Sequence, residues 1–250
     1  MSQRPIPILM YHQIDVAPPR GTGMRGLVVS PFTFFCHMAA MRMLGYRGLS
    51  MVALEPYLRG EVQGKVFGIT FDDGFENNLR CALPVLQRFS FTSTCYVVAE
   101  LIGKSNIWDA DNGVAQVPLM NARQLQAWVD GGQELGSHTL THAKLTDLDA
   151  RQQMKEIAQS KSAIDSCVQQ QYGVRHFCYP YGAFDSVSIE AVKAVGYVTA
   201  TTTLRGRVSP THQTDMLMLP RVLVSRTTSW LLLLWKCLTT YEDRRVRIYA

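Results

Sequence analysis

The sequence lacks the features that mark several special classes of protein. None of its six cysteines forms a Cys-x-x-Cys pair, and no apolar signal segment follows the first residues. Several of the cysteines lie among apolar residues, where a reduced thiol behaves as a small hydrophobe. We therefore predict a reducing, cytoplasmic setting.

Charge and long apolar runs are also scarce. Charged residues make up 18% of the 250 residues, and the net charge of +5 is concentrated partly in Arg244, Arg245 and Arg247. No basic helix interleaved with aromatic residues indicates nucleic-acid binding. The apolar run 230–235 is shorter than the roughly 20 residues that span a bilayer. We expect a core-packing helix there. The alternative is peripheral contact with the inner face of a membrane, because Lys236 and the basic tail flank the run.

Short apolar strands alternate with helices along the whole chain, without a linker. This pattern predicts one α/β domain over residues 1–250, whose last part, about 227–250, is an apolar helix and a basic tail. Pattern alone leaves open a doubly wound sheet or a barrel. Polar residues recur where strands end, which favours a barrel, whose sites gather at the strand C-termini. The predicted strands lie at about 6–11, 66–71, 91–98, 134–137, 176–179, 197–203 and 219–224, and two of the predicted helices at 78–88 and 146–171.

Two adjacent carboxylates stand at the end of one apolar run. Residues 66–71 lead directly into Asp72, Asp73 and Gly74. Ionised acids at the end of a buried strand are costly unless they are paired or bind a metal. The alternative is a solvated Asp-Gly turn.

Three other segments carry candidate functional groups. His138 and His142 are four residues apart and can reach one metal if the segment turns helically. One carboxylate and two histidines would leave positions open for water and substrate, as in catalytic zinc sites. The turn 179–182 (YPYG) can aim a backbone N–H at a developing oxyanion, and His12 ends the first strand. The alternatives are two unrelated histidines, an ordinary proline turn and a packing histidine.

In this order, the segments resemble the motifs of the polysaccharide deacetylase family, also called carbohydrate esterase family 4 or the NodB-homology domain. The matching segments are 70–74 (TFDDG), 137–142 (SHTLTH) and 179–182 (YPYG), and the resemblance covers about residues 6–224. Residues 9–12 (LMYH) are similar to the N-terminal segment of the circularly permuted subgroup, which includes poly-β-1,6-N-acetylglucosamine deacetylases. The resemblance implies a distorted (β/α) barrel of about seven strands.

The resemblance also implies roles for individual residues. Asp73, His138 and His142 would hold a divalent metal, with zinc as the default and cobalt, nickel, manganese or iron(II) as alternatives. Asp72 would be the general base that activates water. The backbone N–H of Tyr181 would stabilise the tetrahedral oxyanion.

Two departures from the family pattern lead to further predictions. The Leu-x-His motif that often supplies the general acid is absent, so the acid is assigned to His12, as in the permuted subgroup. The arginine often found before the third-motif proline is absent too, with Cys178 nearby, and we predict that Arg221 orients Asp72 in its place.

The resemblance therefore implies a metal-dependent hydrolase that removes N-acetyl groups from an N-acetylhexosamine-containing glycan or glycolipid. A cytoplasmic setting favours a nucleotide-linked or lipid-linked sugar over an extracellular polymer. The alternatives are a deacetylase of polymeric β-1,6-N-acetylglucosamine and a non-catalytic carbohydrate-binding relative. A two-carboxylate glycosidase fits poorly, because its acids flank the bond from separate positions.

Overall fold

The computed structural model describes residues 4–211 and 214–245, so the last part of the predicted basic tail lies outside the described residues. Within these ranges, strands and helices alternate along the chain. The strands are β1 (Ile8–Tyr11), β2 (Gln13–Ile14), β3 (Val28–Val29), β4 (Arg47–Leu49), β5 (Val66–Phe71), β6 (Thr94–Val97), β7 (Glu134–Ser137), β8 (His176–Cys178), β9 (Thr199–Arg205) and β10 (Leu219–Leu223). The α-helices are α1 (Pro31–Met43), α2 (Met51–Leu58), α3 (Glu76–Cys81), α4 (Leu83–Phe89), α5 (Ala122–Asp130), α6 (Ala150–Cys167), α7 (Ser186–Ala194) and α8 (Trp230–Leu238).

Seven parallel strands close into a barrel, as the sequence predicts. Their order around the ring is β1, β5, β6, β7, β8, β9 and β10, and β10 pairs again with β1. The first strand closes the ring because Leu9 pairs with Ile69 on one side and with Val222 on the other. Strand β4 pairs with the first half of β5 outside this ring, and β2 and β3 form a separate two-stranded pair.

The strand that delivers the two aspartates is buried at every position. A strand covered on both faces carries a continuous apolar run instead of an alternating one. The ring of Phe71 packs against Tyr11, at 5.7 Å between centroids, and edge-on against Trp128, at 5.6 Å. These contacts fix the end of β5, and therefore the point where Asp72 and Asp73 leave the sheet.

Two predicted helices have different bounds in the structure. The single helix expected over 78–88 is divided into α3 and α4, because Pro84 cannot donate a hydrogen bond to Arg80 and its ring clashes with that carbonyl. The helix expected over 146–171 is shorter. It begins after Asp149, which forms a capping box with Gln152.

Helix α8 forms at the predicted apolar run and packs against α1. Leu233 and Cys237 are buried, whereas Trp230 and Trp235 are about half exposed. No helix among the described residues has the length and apolarity needed to cross a membrane.

Candidate metal and catalytic site

The C-terminal ends of the barrel strands bring together all the residues singled out in the sequence. They follow or belong to β1, β5, β7, β8 and β10, and they are His12, Asp72, Asp73, His138, His142, Tyr181 and Arg221. This is the end of the barrel at which parallel α/β folds build their sites.

Three buried side chains converge as a set of metal ligands. The Nε2 atoms of His138 and His142 lie 3.5 Å and 3.3 Å from Asp73 Oδ1. Bonds of about 2.0–2.1 Å around a tetrahedral ion would place ligand atoms roughly 3.3 Å apart. The other ring nitrogen of His138 lies 2.7 Å from the carbonyl oxygen of Cys178, which fixes the ring with Nε2 toward the site. The donor set therefore fits a divalent ion.

A second group of possible ligands, Asp72, His138 and Cys178, overlaps this set. It suits a cation poorly, because Arg221 already donates to both Asp72 and Cys178 Sγ, at 2.8 Å and 3.2 Å from its Nη2. A buried guanidinium at that point repels a metal ion. Asp73, His138 and His142 are the better ligand set.

Asp72 is held by a buried, bidentate ion pair with Arg221. The two guanidinium nitrogens donate to the two carboxylate oxygens at 2.6 Å and 2.8 Å. Burial acts to raise the pKa of Asp72, but the charge and hydrogen bonds of Arg221, together with the nearby His12 and His138, outweigh it and lower that pKa below its ordinary value. Arg221 is itself fixed by donating to Thr202 O and Thr70 Oγ1. The carboxylate is therefore ionised and rigidly oriented.

His12 stands on the other side of Asp72. Its Nε2 lies 3.9 Å from Asp72 Oδ2, and its Nδ1 is buried and has no hydrogen-bond partner among the described residues. The carbonyl oxygen of His12 accepts from the Asn78 side chain, which anchors the backbone beneath the ring. The ring is thus placed beside the carboxylate, but beyond hydrogen-bond distance of it.

The two metal-site histidines lie close together without the helical turn that the sequence analysis predicted for this segment. Thr139 and His142 have positive φ values of 64° and 65°. This loop is pinned by Glu156 of α6, whose carboxylate accepts from the backbone N–H groups of Leu140 and Thr141 and from the Thr141 hydroxyl. Left-handed backbone at a β-branched residue is costly and persists only where the surroundings enforce it.

Backbone strain is concentrated at this site. Six non-glycine residues among those described have positive φ, and four of them are Asp73, Thr139, His142 and Tyr181. The glycine after Tyr181 is also required, since a Cβ on Gly182 would lie 1.9 Å from Thr203 Oγ1. Such clustering is typical of functional sites.

Trp108 is a site residue that the sequence analysis did not predict. Its ring stacks on His142 with centroids 4.4 Å apart and planes at 26°, and Tyr181 packs edge-on against the same histidine at 4.7 Å. The Nδ1 atom of His142 is buried without a hydrogen-bond partner among the described residues. The rings of Trp108 and Tyr181 therefore hold the imidazole of His142 in place, whereas a hydrogen bond holds that of His138. Trp108 lies in the segment between β6 and α5, where no spacing signal links it to His142.

Comparisons with known proteins support one family. The polysaccharide deacetylase family model matches residues 59–200, more than half of the chain. The chain is 29% identical to the Bacillus subtilis protein YxkH over 222 residues. The aligned region makes up 88% of this chain and 71% of that protein. The fold of the chain is similar to that of the Streptococcus pyogenes deacetylase PplD in complex with acetate. The TM-score is 0.81, and the identity is 26% over 94% of this chain and 99% of that one. The Bacillus cereus polysaccharide deacetylase BC0361 gives a TM-score of 0.78 and 26% identity over 94% of this chain and 69% of that one.

Proposed function

The chain belongs to the polysaccharide deacetylase family, and we propose that it is a metal-dependent hydrolase that removes the N-acetyl group from an N-acetylhexosamine unit of a glycan or glycolipid. One observation carries this proposal. The ligand atoms of Asp73, His138 and His142 converge at metal-binding separations beside Asp72, a carboxylate held ionised by Arg221.

Asp73, His138 and His142 would hold the ion, for which zinc is the default choice. Bound there, a divalent metal would lower the pKa of water and polarise the acetyl carbonyl. Three protein ligands leave coordination positions open, as catalysis requires.

Asp72 is proposed as the general base. A base must be ionised before it can accept the proton of the attacking water, and the depressed pKa of Asp72 keeps it ionised at neutral pH. Its two hydrogen bonds with Arg221 prevent rotation of the carboxylate, so proton transfer does not require reorganisation of the base. Arg221 is therefore a positioning residue.

Tyr181 and His12 complete the proposed mechanism. The Tyr181 backbone N–H would donate to the oxyanion that forms when water adds to the acetyl carbon. His12, as imidazolium, would give a proton to the departing amine, which is otherwise a very poor leaving group. The acetate that leaves in this reaction is the molecule bound in the PplD complex, which agrees with the proposed chemistry.

Acetate release tests the proposal directly. The substrates are chitooligosaccharides, β-1,6-linked N-acetylglucosamine oligomers and a polyprenyl-phosphate-linked N-acetylhexosamine, each assayed with and without a chelator. We expect release from at least one of them to require metal, and Asp72→Asn or His12→Ala to lower kcat about 10²- to 10⁴-fold while metal stays bound.

Other outcomes would contradict specific parts of the proposal. Full activity of His12→Ala would remove the acid assignment, and metal retained at full occupancy by Asp73→Ala would remove its ligand role. Tight sugar binding without release, with metal bound, would favour a carbohydrate-binding protein. The lipid-linked acceptor, the permuted subgroup and the cytoplasmic location remain predictions.

A further inference from the structure

Two segments of the chain carry no acidic residue. Residues 16–54 and 216–241 contain none of the chain's 20 aspartates and glutamates, although they include six arginines and a lysine. Helix α1 comes from the first segment and α8 from the second, and the two helices pack together. His37 Nε2 lies 2.8 Å from the carbonyl oxygen of Thr228, which joins the segments just before α8. Neither segment therefore contributes a negative charge to the surface that the two helices form.

The same two segments hold most of the exposed large apolar side chains. Fifteen such side chains are exposed among the described residues, and nine of them belong to these segments. We define the α1–α8 face by six of these nine: Phe32, Met43, Trp230, Leu231, Trp235 and Leu238. An apolar groove of about 340 Å³ runs between the helices, with Met43 and Trp230 on its walls. Apolar surface concentrated in this way marks an interaction site.

Helix α8 carries large apolar side chains on its exposed side as well as on its buried side. Its one charged side chain, Lys236, is buried, donates to the Leu223 carbonyl oxygen and pairs with Glu242 at 3.3 Å. Glu242 also forms a bidentate pair with Arg205 of β9. These contacts and the buried Leu233 and Cys237 hold one side of α8 against the barrel, so its two tryptophans, Leu231 and Leu238 face outward as part of the fold.

The cations near this face are not neutralised. Arg42 precedes the groove residue Met43, and Arg226 lies four residues before Trp230. Both side chains are exposed, and neither forms an ion pair with a described residue. Arg205 and Arg207, by contrast, pair with Glu242 and Asp243.

We propose that the α1–α8 face docks on an anionic membrane surface. Tryptophans partition into the headgroup region of a bilayer, and arginines attract anionic lipids at its edge. A nine-residue helix cannot span the bilayer, so it lies in the interface with its apolar side inward. The proposal does not depend on the deacetylase activity.

Vesicle flotation of the full chain tests this proposal without substrate. The vesicles are phosphatidylcholine alone or equal parts of phosphatidylcholine and phosphatidylglycerol. We expect binding to the anionic vesicles that weakens with added salt, and little binding to the neutral ones. The double variant Trp230→Ser/Leu231→Ser should bind about tenfold more weakly, because it removes exposed apolar area. Arg226→Glu should also weaken binding to anionic vesicles, without changing the packing of α8.

Tyr172→Ser is the matched control, since it removes an aromatic side chain that is similarly exposed but lies outside the two segments. It should bind like the unaltered chain, and circular dichroism should show that all variants are folded. Three results would overturn the proposal: no flotation of the unaltered chain with anionic vesicles, equal flotation of the face variants, or a stable dimer that the double variant dissociates. The dimer would assign the face to a second copy of the chain.

Discussion

At the scale of single residues, the pairing of Asp72 with Arg221 is the contact on which the proposed chemistry most depends. Both side chains are buried, so neither charge has water to replace a missing partner. Removing one member of a buried ion pair typically costs about 3–5 kcal/mol of stability, because the other charge is left uncompensated. The pair therefore affects folding and the ionisation of the base together.

Arg221→Met should change the pH profile as well as the stability. Arg221 keeps the pKa of Asp72 low, so without it burial raises that pKa. The acidic limb of the kcat/KM profile should then move to higher pH, since the base is ionised only above its pKa. The double variant Arg221→Met/Asp72→Asn should recover part of the lost stability but none of the activity. An acidic limb at the same pH in Arg221→Met would contradict the orienting role of Arg221.

Trp108 provides a second prediction at this scale. Trp108→Ala should weaken zinc binding about 10- to 100-fold, the usual effect of losing a group that orients a metal ligand. Trp108→Phe should retain most of the affinity because it keeps the stacking on His142. Calorimetric titration measures the affinity directly, with the exposed neighbour variant Ile107→Ala as control. Equal zinc affinity in Trp108→Ala and Ile107→Ala would show that the stacking does not support the site.

The sequence could predict the site residues that lie within contiguous motifs directly, but it could not predict the geometry of contacts made across elements. Asp72, Asp73, His138 and His142 are recognisable because adjacent or near-adjacent polar residues interrupt apolar strands. The contact of Arg221 with Asp72 joins strands 149 positions apart in the chain. Its existence was predicted from the missing arginine near Cys178, but its bidentate geometry could come only from the fold.

At the scale of elements, helix α6 supports the metal-site loop from outside the barrel. Glu156 accepts three hydrogen bonds from that loop, and the Ser160 hydroxyl donates to the Thr139 carbonyl oxygen. No local pattern connects a helix residue to a loop 15 positions earlier, so the sequence predicted a helix here but not its contact with the loop. These contacts, and not a helical turn, hold the loop in its strained conformation.

Glu156→Ala should loosen the loop. We expect a loss of about 1–3 kcal/mol in unfolding free energy, as for the removal of charged hydrogen bonds, together with weaker zinc binding. Lys155→Ala, an exposed position on the same helix, is the control and should leave both unchanged. Denaturant unfolding and metal titration of the two variants provide the comparison. Unaltered zinc affinity in Glu156→Ala would mean that the loop holds its conformation without α6.

At the scale of the whole molecule, a second buried cluster lies at the opposite, N-terminal ends of the strands. Glu134 begins β7 and His176 begins β8, and His176 Nε2 lies 3.1 Å from Glu134 Oε1. Burial raises the pKa of Glu134 to about 7 and lowers that of His176 to about 3. Glu55, paired with Arg175, also faces His176, at 3.5 Å. A protonated Glu134 can donate to the neutral imidazole, which receives no other hydrogen bond at Nε2 among the described residues.

This cluster predicts a loss of stability as the pH rises. The folded state holds the proton of Glu134 more tightly than the unfolded state. The unfolding free energy that this proton contributes is therefore complete below about pH 4.5 and is lost as the pH rises through about 7. The unfolding free energy of Glu134→Gln should therefore rise by up to about 3 kcal/mol relative to that of the unaltered protein over that interval. Urea unfolding at several pH values measures this difference. Glu61→Gln, which changes an exposed acid, should show no such trend, and the same trend in both variants would contradict the assignment.

Barrel closure shows where sequence information ended at this scale. Alternating strands and helices predicted a parallel sheet, but an open sheet and a barrel share that pattern. The polar strand ends favoured the barrel, and the structure confirms it through the pairing of β1 with both β5 and β10. The additional strand β4 was not predicted, because its three residues include Gly48 and an exposed arginine instead of an apolar run.

Acetate release as a function of bound metal tests the central claim most directly. Metal-free protein is titrated with zinc, and the rate on the preferred N-acetylated sugar is measured at each stoichiometry. If Asp73, His138 and His142 hold one catalytic ion, the rate should rise linearly to one equivalent per chain and then remain constant. Full acetate release from protein verified to contain no metal would contradict the claim.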